Sequence, residues 1–157
     1  KVIVFSQFTS LFDLMALVLQ NQHIEFLRYD GTMSMDVKNN VIKEFYQSSK
    51  NVLLLSLRAG NAGLTLTCAN HVFIMDPFWN PFVEEQAMGR AHRIGQTREV
   101  FVHRVLIAGT VENRIMELQE LKKHLIESAL DERGMKSISQ LNRRELGFLF
   151  GLNSLTG

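Results

Sequence analysis

Five short apolar runs, separated by amphipathic stretches, constrain the fold of this chain more than any other feature. The runs are KVIVF, IEFLRY, NVLLLS, HVFIM and VFVHRVLI, each rich in residues that favour strands. Between the runs, apolar residues recur at helical spacing. The helical positions are Leu11, Leu14, Met15, Val18 and Leu19, followed by Val37, Val41, Ile42 and Phe45. This alternation predicts an α/β domain of three layers, with a mostly parallel sheet covered by helices on both faces.

The sequence after the last strand predicts further helices. Thr110 is suited to cap a long helix with Glu112 in its first turn, and we expect this helix to end near Glu132, before Gly134. Its apolar stripe comprises Val111, Ile115, Leu118, Leu121 and Leu125. The remaining residues, 135–157, carry a short apolar pattern that predicts one more helix.

Composition and charge exclude several classes of protein. The single cysteine, Cys68, rules out an internal disulfide framework and a multi-cysteine zinc site, and we expect no metal ligands. The sequence has no apolar run long enough to cross a membrane and no signal-peptide pattern, so we expect a soluble intracellular protein. The strand-like run KVIVF starts at residue 1 with nothing before it, so we expect the sequence to be a piece of a longer chain. The net charge is only +1, but residues 90–144 hold eleven of the seventeen basic residues, which permits a nucleic-acid partner.

The loops after the first four strands are the places to search for a site, because ligands of parallel sheets bind at the carboxyl ends of the strands. These loops read SQFTS, DGTMS, SLRAGNAGLT and DPFWNPF. In the third loop, Gly60 and Gly63 would let backbone amides approach a phosphate closely. Potential side-chain donors in the same loop are Ser56, Arg58 and Thr65. The alternative is a simple turn between a strand and a helix, and no Gly-Lys-Ser/Thr phosphate loop occurs in the chain.

The fourth loop places the only tryptophan, Trp79, between two prolines. A large aromatic ring in a loop often closes the end of a sheet, which is one interpretation. The other is a ring that is presented to a nucleic-acid strand or groove.

The stretch QAMGRAHRIGQ, residues 86–96, predicts a second functional surface. We expect a helix from Val83 to Gly95, on which Ala87, Ala91 and Ile94 form a core stripe. A separate stripe comprises Gln86, Arg90 and Arg93, with Gly89 beside it. Arginines next to a residue without a side chain suit a bidentate grip on phosphate oxygens, although a solvated surface is the common alternative. On a triphosphate held by another domain, they would act as arginine fingers.

Five motifs together resemble the second RecA-like lobe of the Snf-type ATPases, a group of chromatin remodellers and DNA-repair translocases within the second helicase superfamily. The motifs are VIVFSQF, YDGTMS, SLRAGNAGLTLT, MDPFWNP and QAMGRAHRIGQ, in the order and at about the spacing of that family. The resemblance covers residues 1–132, including a brace helix, and leaves 133–157 as a C-terminal helical tail. The residues within SLRAGNAGLTLT and DPFWNPFVEEQAMGRAHRIGQ are most similar to those of one branch of the family. Members of this branch often carry a RING domain and include translocases that act on SUMO-modified or damaged-DNA substrates.

The resemblance implies roles for individual residues. Arg90 and Arg93 would reach ATP across a cleft between two lobes, and Gln86 would support the nucleotide or the lobe interface. The nucleotide would also meet Gly63 and Thr65. The residues that match DNA-contacting positions are Gln7, Ser56, Arg58, Gly60, Trp79 and Asn80. ATP and Mg²⁺ would be held mainly by the first lobe, and Lys38 occupies a position that is often arginine in the family.

The function implied by the resemblance is that of a motor lobe in an ATP-dependent translocase of double-stranded DNA. The expected partners are the N-terminal RecA-like lobe of the same chain, duplex DNA or a nucleosome, and the ubiquitin or SUMO machinery, all in the nucleus and without a membrane. Residues 1–157 alone are expected to be inactive. Two alternatives stay open: a lobe of an RNA or strand-separating helicase, and a non-enzymatic phosphate-binding interaction domain.

Overall fold

The computed structural model describes residues 1–59, 63–128 and 140–154, with side chains described outside 125–128. It contains five strands, β1 (Val2–Ser6), β2 (Phe26–Tyr29), β3 (Val52–Ser56), β4 (His71–Ile74) and β5 (Phe101–Arg104). The helices are α1 (Thr9–Asn21), α2 (Met35–Gln47), α3 (Pro81–Met88), α4 (Val111–Ser128) and, near the carboxyl end, α5 (Arg143–Leu149). Each predicted apolar run therefore contains a strand.

The five strands form one parallel sheet in the order β2-β3-β1-β4-β5. Val4 of the central strand pairs with Leu54 on one side and with Phe73 on the other. Because all strands run in the same direction, their carboxyl ends lie at one edge of the sheet. The predicted parallel α/β architecture is confirmed.

Helices α1 and α2 cover opposite faces of the sheet. Neighbouring residues of a strand point to opposite faces. Arg28 of β2 lies over the ring of Phe12 in α1, with its guanidinium carbon 5.9 Å from the ring centre. The ring of the next residue, Tyr29, lies beneath the ammonium group of Lys38 in α2, at 5.7 Å. The core between α1 and the sheet includes Val4, Phe12 and Leu54, all buried.

The chain divides into two compact units. The first comprises Lys1–Asp76 and Glu85–Val105 and contains the sheet, while the second comprises Pro77–Glu84 and Leu106–Gly157. The division at residue 132 that the sequence suggested stays a prediction. Within the described residues, no helix has the length and apolar character needed to cross a membrane.

The helices agree with the sequence patterns in part. In α1, Phe12 is buried as part of the core, but Leu14 and Val18 are 63% and 61% exposed although they fit the helical spacing. The hydroxyl of Thr110 accepts a hydrogen bond from the Glu112 amide at 3.2 Å, as expected of a cap of α4. Helix α4 is described as far as Ser128, and the predicted end near residue 132 lies outside the described residues. The tail helix is present as α5.

Candidate functional site

Three of the predicted DNA-contacting side chains line one cleft at the carboxyl edge of the sheet. They are Gln7 after β1, Ser56 at the end of β3, and Arg58 in the turn beyond it. The cleft has a volume of about 670 Å³, and its other lining residues are Thr9, Gly31, Thr32, Lys38 and Ala59. The first three loops after the strands thus meet as expected. Gly60, predicted to contact DNA, lies outside the described residues.

The cleft carries the donors that a phosphate backbone requires. Arg58 is exposed, and its guanidinium can donate two parallel hydrogen bonds to phosphate oxygens. Lys38 adds a second cation, and Thr9 and Thr32 add hydroxyl groups. Such donors can bind phosphate oxygens, and contacts of that kind carry no information on base identity.

Asp30 shapes the loop on one side of this cleft. Its carboxylate is 1% exposed and accepts hydrogen bonds from the Thr32 amide at 2.9 Å, from the Thr32 hydroxyl, and from Nε of Arg28 at 2.7 Å. Burial acts to raise the pKa of Asp30, but the hydrogen bonds from Thr32 and Arg28 hold this pKa below its ordinary value. Thr32 is thereby fixed at the cleft.

The lowered pKa predicts how stability depends on pH. An ionised Asp30 stabilises the folded state above the ordinary aspartate pKa of 3.8, and this contribution is lost as pH falls through the lower folded-state value. Asp30→Asn should therefore cost about 1–3 kcal/mol of unfolding free energy at pH 7 and flatten its decline in acid. Urea denaturation between pH 7 and pH 3 measures both effects. Asp36→Asn, at an exposed position in the first turn of α2, is the control, and equal pH slopes for both variants would contradict the assignment.

Asp76 joins two loops of the same edge. The Gln7 amide lies 2.9 Å and 3.3 Å from the two oxygens of the buried Asp76 carboxylate. The loop after β1 is thereby tied to the end of the connection from β4. This contact gives the motif residue Asp76 a structural role in placing Gln7.

The predicted helix from Val83 to Gly95 is wrong in its extent, because α3 ends at Met88. The amides of Arg90 and Ala91 bond three residues back, to Ala87 and Met88, which tightens the chain into turns. The carbonyl of Arg90 accepts from the Leu66 amide at 2.8 Å instead of continuing a helix. Glycine at position 89 is also a weak helix former.

The shorter helix changes two details of the predicted stripes. Gly89 lies just beyond α3 and is therefore not part of a helical stripe. Ala87 and Ala91 are buried as expected, but Ile94 is 100% exposed and does not belong to the core. Gln86 is exposed on α3, whereas both arginines follow it in turns.

Arg93 contacts the predicted phosphate loop directly. Its Nη1 donates to the hydroxyl of Thr65 at 3.2 Å and to the carbonyl of Gly63 at 3.3 Å. Gly63 has a φ of +63°, a conformation that favours glycine. The Leu66 amide also bonds the Arg90 carbonyl. Both arginines therefore contact the loop that carries Gly63 and Thr65, two of the predicted nucleotide-binding residues.

Arg90 has an unpaired group. Its Nε is buried, and it has no hydrogen-bond partner among the residues that the structure describes. A buried guanidinium donor without an acceptor is costly. Arg90 as a whole is partly exposed, so its side chain is not wholly shielded from an anionic ligand. This property fits the phosphate role inferred from the sequence.

Trp79 and Asn80 belong to the second compact unit. Trp79 is partly exposed, its ring lies 5.5 Å from that of Phe78, and the ammonium group of Lys122 lies 4.8 Å from its centre. The Asn80 side chain accepts from the Phe82 amide at 3.1 Å, as an N-cap of α3 would. Both residues therefore have structural contacts beside the DNA contacts predicted for them.

Sequence reasoning missed part of the cleft. Thr9 and Thr32 lie in loops that it identified, but neither was selected, and Lys38 was noted only for its position in the family. For the two threonines, a hydroxyl three residues after the end of a strand was the available signal, whereas Lys38 lies in α2, nine residues beyond β2. Among the described residues, no group of three or more His, Cys, Asp or Glu side chains is placed to hold a metal ion.

Comparisons with known proteins place this geometry in a family. Residues 1–95 match the helicase conserved C-terminal domain. The chain is 53% identical over 157 residues to "ATP-dependent helicase ULS1" of Saccharomyces cerevisiae, covering 99% of this chain and 10% of that protein. It is 44% identical over 155 residues to "DNA repair protein RAD5" of Cryptococcus neoformans, covering 98% of this chain and 13% of that protein. The chain thus spans only about a tenth of the length of these relatives.

A solved structure agrees with these sequence matches. The C-terminal part of the Fun30 ATPase domain superposes with a TM-score of 0.73 at 38% identity, covering 76% of this chain and 38% of that one. Fold, motif order and relatives agree, and the relatives confirm the branch that the motif wording indicated. The chain therefore belongs to the helicase conserved C-terminal domain family, as the second RecA-like lobe of a Snf-type ATPase.

Proposed function

We propose that this chain is the second motor lobe of a translocase that uses ATP hydrolysis to move along double-stranded DNA. The observation that carries the proposal is the loop at Gly63–Leu66, which contacts the side chain of Arg93 and the backbone of Arg90. Two arginines held next to one loop form half of a phosphate site. The other half would come from a first RecA-like lobe, since the relatives are ATP-dependent proteins about seven to ten times longer than the match.

In this proposal, the arginines neutralise charge on ATP during hydrolysis. Arg90 is partly exposed and Arg93 is exposed, and both carry guanidinium groups, which bind phosphate readily. Both groups are thus able to bind phosphate oxygens when a first lobe presents ATP. Mg²⁺ would be bound together with ATP, mainly by the first lobe.

Nucleotide-driven closure would couple ATP hydrolysis to movement. The arginines would be attracted to bound ATP, so the two lobes would move together, and hydrolysis would remove this attraction. The cleft that contains Arg58 and Lys38 would hold the DNA backbone through each cycle. Because it offers donors for phosphates, the lobe would bind DNA with little preference for sequence.

The experiment is ATP turnover by the two-lobed parent protein with different nucleic acids. We expect stimulation by duplex DNA that is independent of its sequence, and no turnover by residues 1–157 alone. Stimulation by RNA or single-stranded DNA only would favour a different helicase class. ATP hydrolysis by the lone 157-residue chain would contradict a site shared between two lobes.

The cellular setting follows from the same proposal. A DNA translocase in a cell with chromatin acts in the nucleus, on nucleosomes or on other proteins bound to DNA. The similarity to a DNA repair protein and to an ATP-dependent helicase supports a role in DNA repair or remodelling. Ubiquitin or SUMO machinery would be further partners of the complete protein.

A further inference from the structure

A buried lysine lies against the ring of the only tryptophan. Lys122 of α4 is 1% exposed, and its ammonium nitrogen lies 4.8 Å from the centre of the Trp79 ring. This distance is within the range of a cation–π interaction. An ammonium group with so little access to solvent is costly unless other groups compensate for its charge.

Two further contacts of Lys122 come from the carboxyl-terminal part of the second unit. Its Nζ lies 3.1 Å from the carboxylate of Glu145 and donates to the carbonyl of Gln140 at 3.1 Å. Glu145 is also part of the capping box of α5, since its other oxygen accepts from the Asn142 amide at 2.9 Å. Lys122 therefore links the start of α5 to the indole ring.

A neighbouring set of polar side chains fixes the backbone just before the ring. Gln119, one turn earlier on α4, donates to the carbonyl of Phe78 and to the buried carboxylate of Glu84, the latter at 2.7 Å. The same Glu84 oxygen accepts from the Phe78 amide at 2.9 Å. Both polar groups of the Phe78 backbone are thereby held, which fixes the backbone immediately before Trp79.

The indole ring itself is contacted by the Phe78 ring, at 5.5 Å, and by the Lys122 ammonium group, which is the charged one of these two contacts. Hydrophobic residues could fill the same space at no greater cost in stability, because a buried ion pair gains little over an apolar replacement. What a cation adds is direction, since it interacts with the face of the ring and not with its edge. Glu145 and the Gln140 carbonyl hold this cation in place.

We infer that Lys122 is a positioning residue that orients Trp79 for contact with DNA and makes that contact dependent on the docking of α5. The inference rests on the proposed DNA-binding role of Trp79. It assigns a function to the tail, because α5 supplies the carboxylate that holds the lysine. Loss of Lys122 should weaken DNA binding without a comparable effect on ATP hydrolysis at saturating DNA.

The test uses the fluorescence of Trp79, the only tryptophan in the 157-residue chain. Acrylamide quenching without DNA measures how accessible the ring is, and titration with duplex DNA measures protection of the ring and binding. For Lys122→Met, which keeps the length of the side chain, we expect a more accessible ring. We also expect the apparent Kd for DNA to rise about 2- to 30-fold, the range that corresponds to loss of one cation–π contact.

Three variants separate orientation from general damage. Lys122→Arg keeps a cation over the ring and should restore both readouts towards those of the unmodified chain. Lys123→Met changes the adjacent lysine, which pairs with Glu120, and should leave both unchanged. Glu145→Gln removes the negative charge that holds Lys122, with little change in shape. It should shift both readouts in the same direction as Lys122→Met, so the inference stays testable if Lys122→Met does not fold.

The possible failures are distinguishable. Accessibility of Trp79 that is unchanged in Lys122→Met and Glu145→Gln would overturn the positioning role and leave the Trp79–DNA contact standing. A ring that DNA does not protect in the unmodified chain would overturn that contact and the inference with it. In the two-lobed parent, Lys122→Met should raise the KM for DNA by a larger factor than it lowers kcat.

Discussion

Replacing Arg93 by alanine in the two-lobed parent protein is expected to lower DNA-stimulated ATP hydrolysis by about 10³- to 10⁵-fold, the range known for arginine fingers. Arg93 is exposed and held near the Gly63–Leu66 loop by bonds to a hydroxyl and a carbonyl, so its loss removes a cation without disturbing the core. DNA binding should be largely kept, because Arg93 does not line the cleft that contains Arg58. Steady-state turnover and a DNA-binding isotherm measure the two effects separately.

Two further variants make this result specific. Arg93→Lys keeps the charge but loses the planar fork, so we expect only partial activity. Arg98→Ala removes a nearby exposed arginine that bonds the Cys68 carbonyl, and its turnover should stay near that of the unmodified enzyme. Full ATP turnover by Arg93→Ala would contradict the arginine-finger role and leave Arg93 as an ordinary solvated surface residue.

Replacing Arg58 by alanine is expected to weaken duplex-DNA binding by roughly 10- to 150-fold, equal to about 1.5–3 kcal/mol for a hydrogen bond to a charged group. The change should be the same for different sequences if Arg58 binds the backbone as proposed, because contacts to phosphates do not read the bases. The slope of log K against log salt should become shallower by about one unit. Titrations of two unrelated duplexes at several salt concentrations measure all three quantities.

The control for Arg58 is Lys43→Ala. Lys43 is an exposed cation on α2 that does not line the cleft, so its loss changes the net charge equally. We expect little change in affinity or in salt slope for this variant. Equal losses of affinity for Arg58→Ala and Lys43→Ala would mean that DNA binding depends only on the overall charge of the protein. The cleft would then not be the DNA-binding site.

The sheet could be predicted from sequence because its signal is local. Runs such as NVLLLS are continuous and apolar, and strands of a parallel sheet are buried on both faces. Strand order was not predictable in this way, because β1 lies between β3 and β4 only through crossovers. The exposure of Leu14 and Val18 shows the limit of periodicity, since helical spacing fixes a face and not what covers it.

The candidate site was predicted by residue type better than by geometry. Arg93 and Thr65 were both selected, but their contact depends on a loop that folds back onto the segment after α3. The end of α3 at Met88 could not be predicted from helical spacing. The Arg90 carbonyl accepts a hydrogen bond from the distant Leu66 amide instead of a helical one, and a local pattern does not show this. Lys122 and Glu145 were also missed, since a buried ion pair between two helices has no local pattern.

The most direct test of a duplex-DNA motor is displacement of the third strand from a DNA triplex by the two-lobed parent protein. Movement along the duplex displaces the third strand without separation of the duplex strands. The account predicts displacement that requires ATP, is independent of the duplex sequence, and is lost in Arg93→Ala while DNA remains bound. No displacement by an unmodified protein that hydrolyses ATP on duplex DNA, or equal displacement by Arg93→Ala, would contradict it.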